Sequence, residues 1–323
     1  MKPRISIVMP CYNCATHLSA SIGSVLAQTA ADWELIVVDD GSTDASAAIV
    51  AAIDDPRIRL IRQANAGVSA ARNRALGEAG CEYIAFLDAD DTWAPTFLEK
   101  MATVLDAQAH AVLVYCGWQN LGLPGGRGAP FVPPDYETLA KLETLFCGCR
   151  WPIHAALTRR AAIVAAGGFN PRYTNAEDYA LWLQIATVAP IARVAEVLAF
   201  YHFHSGTQAS ANLARAALQF FEAQQSFLCA HPGFTHKLGW AMRRHLTYGA
   251  LLKSGYECYW KRDLPAARII FRHVMLAGYG SLRDWKYMLP ALLPLAWHQR
   301  MVHFKDATGR ASAQTDKHTP GEH

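Results

Sequence analysis

No stretch of this chain approaches the ~18 consecutive apolar residues that a helix needs to cross a bilayer, so no transmembrane span is expected. The opening "MKPRISIVMPCYN" has only a short apolar run, ended by Pro10, too short for a secretory signal core. The chain is therefore expected to start and stay in the cytosol. Charge of one sign is also scarce. Lys and Arg number 30 against 27 Asp and Glu, a net +3. That excess is too small and too scattered for a nucleic-acid surface, and no nucleic-acid partner is expected. The 8 cysteines lack regular spacing and suggest no disulfide framework. Cys11 and Cys14 form a C-x-x-C, and Cys147 and Cys149 flank a glycine. No second C-x-x-C completes a zinc site, so both read as small residues in loops.

What the chain does contain is a core and a pattern. Its 323 residues suffice for two domains, and 52% hydrophobic against 18% charged residues reads as globular. "RISIVMP", "WELIVVDD", "RIRLIRQ" and "CEYIAFLDADD" read as strands. Between and after them come helical patterns: Leu18, Ile22, Val25 and Leu26; "STDASAAIVAAI"; "SAARNRALGEAG"; and a helix from about Pro95. Ser42, Thr43 or Asp44 can cap the second helix, and Ser69 the third. Solidly apolar strands alternating with helices argue for a parallel sheet covered on both faces. Ligands of such sheets bind beyond the carboxyl ends of the strands, where both "DDGSTD" and "DADD" fall.

"VLVYCGWQN" is a further strand, and the Gly/Pro-rich "LGLPGGRGAPFVPPD" after it reads as a mobile loop over a site. "TRRAAIVAAGGF" reads as a short helix, "AEDYALWLQIATVA" as a helix with Glu177 and Asp178 in its first turn, and "RVAEVLAFYHFH" as a last strand. The expected organisation is a catalytic domain over residues 1–206, a helical region over 207–305 and a disordered tail over 306–323. The apolar segment "WKYMLPALLPLAWHQRMVHFK" reads first as a helix packed on the catalytic domain. Its aromatic residues and flanking basic residues also suit peripheral contact with a membrane surface.

The chemistry concentrates in the aspartates. Asp88, Asp90 and Asp91 put three carboxylates into four positions. In an extended strand, Asp88 and Asp90 face one side together, and their repulsion calls for a cation. Mg²⁺ or Mn²⁺, which bind through one or two carboxylates plus substrate phosphates, would supply it. Asp91 alone is equally readable as a cap for the helix near Pro95. Asp39 or Asp40 can accept a hydrogen bond from a base N–H, and the Tyr12 ring can lie against a base. Arg72 is a charge partner for phosphate or carboxylate.

In this order, "SIVMPCYN", "ELIVVDDGSTD", "NAGVSAARNRAL", "YIAFLDADD" and "GGFN....AEDYALWL" resemble the family 2 glycosyltransferases, over about residues 4–206. The resemblance implies the GT-A fold, a Rossmann-like, mainly parallel sheet with helices on both faces. It implies a nucleotide-sugar donor, with a UDP-sugar the first choice, and transfer with inversion. Pro10, Tyr12, Asp39, Asp40, Arg72, Asp88, Ala89 and Asp90 become the expected donor-binding set, with Asp39 at the base, Asp88 near the ribose or sugar and Asp90 on the metal. Asp178 becomes the general base and Glu177 its support. The family often has a Tyr-Arg-x-His segment after its last core strand. Here "YHFH" keeps Tyr201 and His204 but puts His202 in place of Arg. His204 then becomes a second metal candidate. By analogy, the acceptor is a growing surface glycan, free or on a lipid carrier at the inner face of the membrane. Acceptor contacts are expected from the Gly/Pro-rich loop, "CRWPIH" and the helical half.

Three rivals make different demands. A receiver-type domain places its acidic pair on the first strand, whereas here the pair ends the second. A nucleotidyltransferase needs a glycine-rich, basic phosphate loop near the N-terminus, which is absent. A catalytically inactive nucleotide-sugar-binding protein would have no need to keep every acidic position.

Overall fold

The computed structural model describes residues 3–123, 125–187, 189–203 and 212–304. The chain divides into two compact units, Met1–Gln208 and Ala209–His323. In the first, four strands alternate with helices as the apolar runs predict. They are β1 (Ile5–Cys11), β2 (Trp33–Asp39), β3 (Ile58–Arg62) and β4 (Tyr83–Phe86). Between them run α1 (Leu18–Leu26), α2 (Ser46–Ala51) and α3 (Val68–Glu78). The four strands lie parallel in the order β3-β2-β1-β4. Every residue of β1 is buried, as a strand covered on both faces requires.

The remaining elements are β5 (Thr92–Trp93), α4 (Phe97–Ala107), β6 (Leu113–Leu121), α5 (Lys141–Phe146), β7 (Ala156–Arg159), α6 (Arg160–Ala165), α7 (Glu177–Ala186) and β8 (Ile191–His202). They extend one sheet to the order β3-β2-β1-β4-β7-β6-β8-β5. β7 runs antiparallel between β4 and β6, while β6 and β8 are parallel. The chain winds one way from β1 to β3 and resumes at β4 on the other side of β1. The crevice at such a reversal opens beyond the carboxyl ends of β1, β2 and β4.

Five local readings need correction, the first being that none of Ser42, Thr43 and Asp44 caps α2, which begins after Ala45 without a side-chain cap. β4 stops at Phe86, so Asp88 and Asp90 lie in a turn, not on a pleated strand. Ser69 does not cap α3: the cap residue is Gly67, and Ser69 lies inside the helix with its hydroxyl donating to the Tyr173 carbonyl. Asp91 does not cap α4, which begins after Thr96 without a side-chain cap. The Gly/Pro-rich loop is also pinned beside β6. Trp118 and Phe131 exchange two backbone hydrogen bonds of 2.9 Å, and the Tyr115 hydroxyl donates to the Pro134 carbonyl at 3.0 Å.

The second unit is helical among its described residues: α8 (Leu213–Ala230), α9 (Pro232–Arg244), α10 (Ala250–Trp260), α11 (Leu264–Leu276), α12 (Leu282–Met288) and a last helix over residues 295–304. α9 breaks at Gly239, whose φ is +68°. The core joins Leu251, Tyr259, Ile270, Phe271, Met288 and Val302. α10 and α11 pack closely because Gly255 has no side chain; a Cβ there would stand 2.7 Å from the Phe271 ring. Asn212, Asp263 and Ser281 cap α8, α11 and α12. The expected tail, 306–323, lies outside the described residues. No helix among the described residues is long and apolar enough to cross a membrane.

Candidate active site

At the ends of β1 and β2 the two neighbouring aspartates have different tasks. Asp39 Oδ1 accepts the Ser42 N–H at 3.0 Å and holds the "DGS" turn. Gly41 in that turn has φ +79°, and a Cβ there would meet the Asn65 nitrogen at 2.9 Å, so glycine alone fits. Asp40 accepts from Gln63 Nε2, the Ala66 N–H and the Gly67 N–H, at 2.7–2.9 Å. Three donors on a 2% exposed carboxylate make Asp40 the brace of the turn into α3. Pro10 is buried within β1 beside Val38, whereas the Tyr12 ring beyond the strand is half exposed. Asn13 sits at φ +52°, and its side chain accepts the Thr43 N–H at 2.8 Å, which joins the two strand-end loops.

The acidic turn closes through an Asp91 N–H to Asp88 carbonyl bond of 3.1 Å. Its carboxylates then diverge. Asp88 Oδ1 pairs with Arg72 Nη2 at 2.7 Å. Asp91, fully buried, has Oδ2 3.0 Å from His154 Nδ1, and its Oδ1 accepts the His202 N–H at 3.0 Å. Ala89 is buried between them, and Asp90 is partly exposed. Much of the cation that the three carboxylates call for is thus built into the protein. Burial works against a charge on His154, but Asp91, Asp88 and Asp90 outweigh it and raise its pKa above the usual imidazole value.

Arg72 is 2% exposed, and its other fork atom, Nη1, meets Glu177 Oε1 at 3.1 Å. Its guanidinium lies 5.3 Å from the Phe169 ring centroid. Burial opposes its charge, and Asp88 and Glu177 more than restore it. Sequence reasoning put Arg72 on the nucleotide; in the structure both its Nη atoms are taken up by carboxylates. It ties the acidic turn to the start of α7. α3 reads the loop before α7 through one face, Ser69, Arg72 and Asn73, spaced as neighbours on a helix. Asn73 Nδ2 donates to the Phe169 carbonyl at 2.7 Å, and Asn73 Oδ1 accepts the Phe169 N–H at 2.9 Å.

This framework presents Asp178. Its Oδ1 accepts the Tyr179 N–H at 2.6 Å, and its Oδ2 accepts the Cys149 thiol at 3.7 Å. Burial first, and then the charge of Glu177, push the Asp178 carboxyl up to about 6. Cys149 is exposed overall, but the packing around its sulfur and the Asp178 charge raise its pKa and hold it as a thiol. Leu181, Trp182 and Ile185 anchor α7 in the core, as expected. Of "CRWPIH", by contrast, Trp151, Ile153 and His154 are buried, so these three are core and not acceptor contacts.

Among the described residues, no three His, Cys, Asp or Glu side chains form a metal cage. His204 lies outside the described residues. A divalent ion brought by a diphosphate needs only one or two protein carboxylates, and partly exposed Asp90 in this turn is the candidate to hold it. Sequence reasoning missed His154 and Cys149. The available signal for His154 was charge: three carboxylates and a single nearby Arg leave a second cation to find.

Comparison with known proteins decides the family. Residues 6–159 match glycosyl transferase family 2. Over 183 residues, 56% of this chain, it is 37% identical to the UDP-Glc:alpha-D-GlcNAc-diphosphoundecaprenol beta-1,3-glucosyltransferase WfgD of Escherichia coli, and covers 69% of that protein. The chain belongs to glycosyl transferase family 2. Other relatives are far longer: a 30% match spans 65% of this chain but 16% of the O-antigen biosynthesis protein RfbC of Myxococcus xanthus. Two solved structures share the fold of this family 2 enzyme. Staphylococcus aureus TarS with UDP-GlcNAc aligns with TM-score 0.56 at 19% identity, over 84% of this chain and 83% of that one. The mannosyltransferase PcManGT of Pyrobaculum calidifontis, with GDP-Man and Mn²⁺, aligns with TM-score 0.57 at 19% identity, over 94% of this chain and 84% of that one. The expected GT-A architecture holds, and the protein is a glycosyltransferase of glycan synthesis.

Proposed function

We propose that this enzyme transfers a sugar from a nucleoside-diphosphate donor to a hydroxyl of a lipid-linked glycan, with inversion at the anomeric carbon and Asp178 as the general base. The observation that carries the reading is the raised Asp178 carboxyl, set on α7 beside a glutamate that Arg72 ties to the acidic turn. At about 6, this group is ionised in most molecules at neutral pH and is a stronger base than an ordinary carboxylate. The acceptor O–H gives its proton to Asp178 as its oxygen attacks the anomeric carbon. The bond from that carbon to the diphosphate breaks on the opposite face, so one displacement inverts the centre and no Ser or Cys nucleophile is needed.

Asp39 and the Tyr12 ring hold the nucleoside, and Asp40 supports them from behind. A bound Mn²⁺ or Mg²⁺, held by Asp90, would neutralise charge growing on the leaving diphosphate. A UDP-sugar is favoured because UDP-Glc stands in the name of WfgD and UDP-GlcNAc is bound by TarS. GDP-Man on PcManGT makes a GDP-sugar the comparison donor. The diphosphoundecaprenol acceptor in the name of WfgD supports a lipid-linked acceptor here. Such an acceptor suits a cytoplasmic enzyme touching the inner face of the membrane through apolar side chains of its helical unit. The test compares Asp178→Asn with wild type, using calorimetry for UDP binding and product formation for transfer. The expected result is unchanged UDP affinity with transfer down about 10²–10⁴-fold. Near-normal transfer, or a loss of UDP affinity equal to the loss of rate, removes Asp178 as the base.

A further inference from the structure

We propose that His154 is a positioning residue for donor binding, holding the acidic turn through Asp91 so that Asp90 is presented to the donor diphosphate and its metal. The inference rests on the donor site proposed above. His154 precedes β7 and is fully buried, as is Asp91. The two approach to 3.0 Å between Nδ1 and Oδ2. The Trp93 indole N–H donates to the His154 carbonyl at 2.7 Å, and the Tyr201 ring lies nearly parallel at 6.0 Å. His154 is thereby fixed from β5 and from β8, and its imidazole has little freedom.

A space-filling role would suit an apolar residue better. Burying an imidazole neither of whose nitrogens makes a well-aligned hydrogen bond costs free energy. The offset available here is the carboxylate at Nδ1. Asp91 has no Lys or Arg within ion-pair distance among the described residues, and its second oxygen holds the His202 N–H at the end of β8. One carboxylate thus fastens three segments: the acidic turn, the approach to β7 and the end of β8. Without His154, the buried Asp91 carboxylate loses its partner at Oδ2, one residue from Asp90. The turn must then shift.

The experiment uses the full chain and reads UDP binding by calorimetry in Mn²⁺ and in EDTA. His154→Leu should weaken binding about 10–100-fold in Mn²⁺ and leave the EDTA value unchanged. His154→Asn places an amide N–H where Nδ1 stood and should restore binding. His154→Gln places its amide at the Nε2 position and should not. Should the Leu variant unfold, the Asn and Gln pair alone decides. Wild-type affinity in His154→Leu or His154→Gln, or an equal loss in Mn²⁺ and EDTA, overturns the proposal. If wild type binds neither UDP nor GDP, the donor reading fails by itself. The tie is then read from thermal unfolding of His154→Asn, Asp91→Asn and the double variant, where simple additivity overturns it.

Discussion

The carboxyl of Asp178 links rate to stability through one proton. Held at about 6, it must be ionised to act in its proposed role as the base, so kcat/KM should fall on the acid side with a midpoint near pH 6. A pH–rate profile checks this, and Asp178→Asn should lose that limb along with most of its rate. The same raised value has a sign for stability. A carboxyl raised in the folded state favours folding below its unfolded value, and this contribution is lost as pH rises through about 6. At pH 7 wild type therefore carries the cost of an ionised Asp178, and Asp178→Asn should be more stable by on the order of 1–3 kcal/mol. At pH 3 the difference should vanish. Urea unfolding at the two pH values measures it. Its place at the start of α7 was legible in the sequence, since "ED" opens a helix with a clear apolar face. Its raised pKa was not, because burial and the Glu177 charge act through packing.

Among the elements, α3 does more than its amphipathic pattern suggests. Ser69, Arg72 and Asn73 grip the loop that leads into α7. Asn73→Ala removes two hydrogen bonds to Phe169 and should destabilise the fold by about 1–3 kcal/mol, read from urea midpoints. Because the loop leads to the proposed base on α7 and not to the proposed nucleotide site, transfer should fall more than UDP affinity. The helix was visible as a 3.6-residue pattern, but its grip was not, since Asn73 and Phe169 are 96 residues apart. β7 escaped notice for a different reason. Four residues, "ALTR", are too few for a period, and they run straight into α6. Pairing with β4 and β6 on its two sides makes them a strand. The acidic turn was mistaken for strand because Leu87 continues the apolar run for one residue beyond the last β4 pair.

For the whole molecule, the open matter is what the helical unit faces. In the last helix, His298 and Val302 are buried while Trp297, Met301 and Phe304 are 64%, 41% and 70% exposed. Spacing of i, i+4 and i+7 puts those three on one stripe. Leu289 and Leu292 are exposed just before it, as are Arg283 and Lys286, and Arg300 is exposed within it. An exposed apolar stripe with basic neighbours suits the interface of an anionic bilayer. Trp297→Glu with Met301→Glu should lower flotation with anionic vesicles about tenfold or more, given roughly 1.5–3 kcal/mol for each buried side chain. Circular dichroism should not change. Equal flotation of the variant and wild type would remove the membrane role. Met288, Ala291 and Val302 belong to the core of this unit, so deleting the segment would test folding instead.

Sequence alone determined what acts over short spans. Apolar runs fixed the alternating half, Gly41 and its neighbours the first acidic turn, and the start of α7 the place of Glu177 and Asp178. These depend on residues within about one helical turn or strand of each other. Tertiary structure decided who neutralises whom. Arg72 stands 16 residues from Asp88 and 105 from Glu177, and His154 meets Asp91 only because β7 inserts beside β4. The strength of a charge pair depends on distance and burial, and both are set by how distant segments pack.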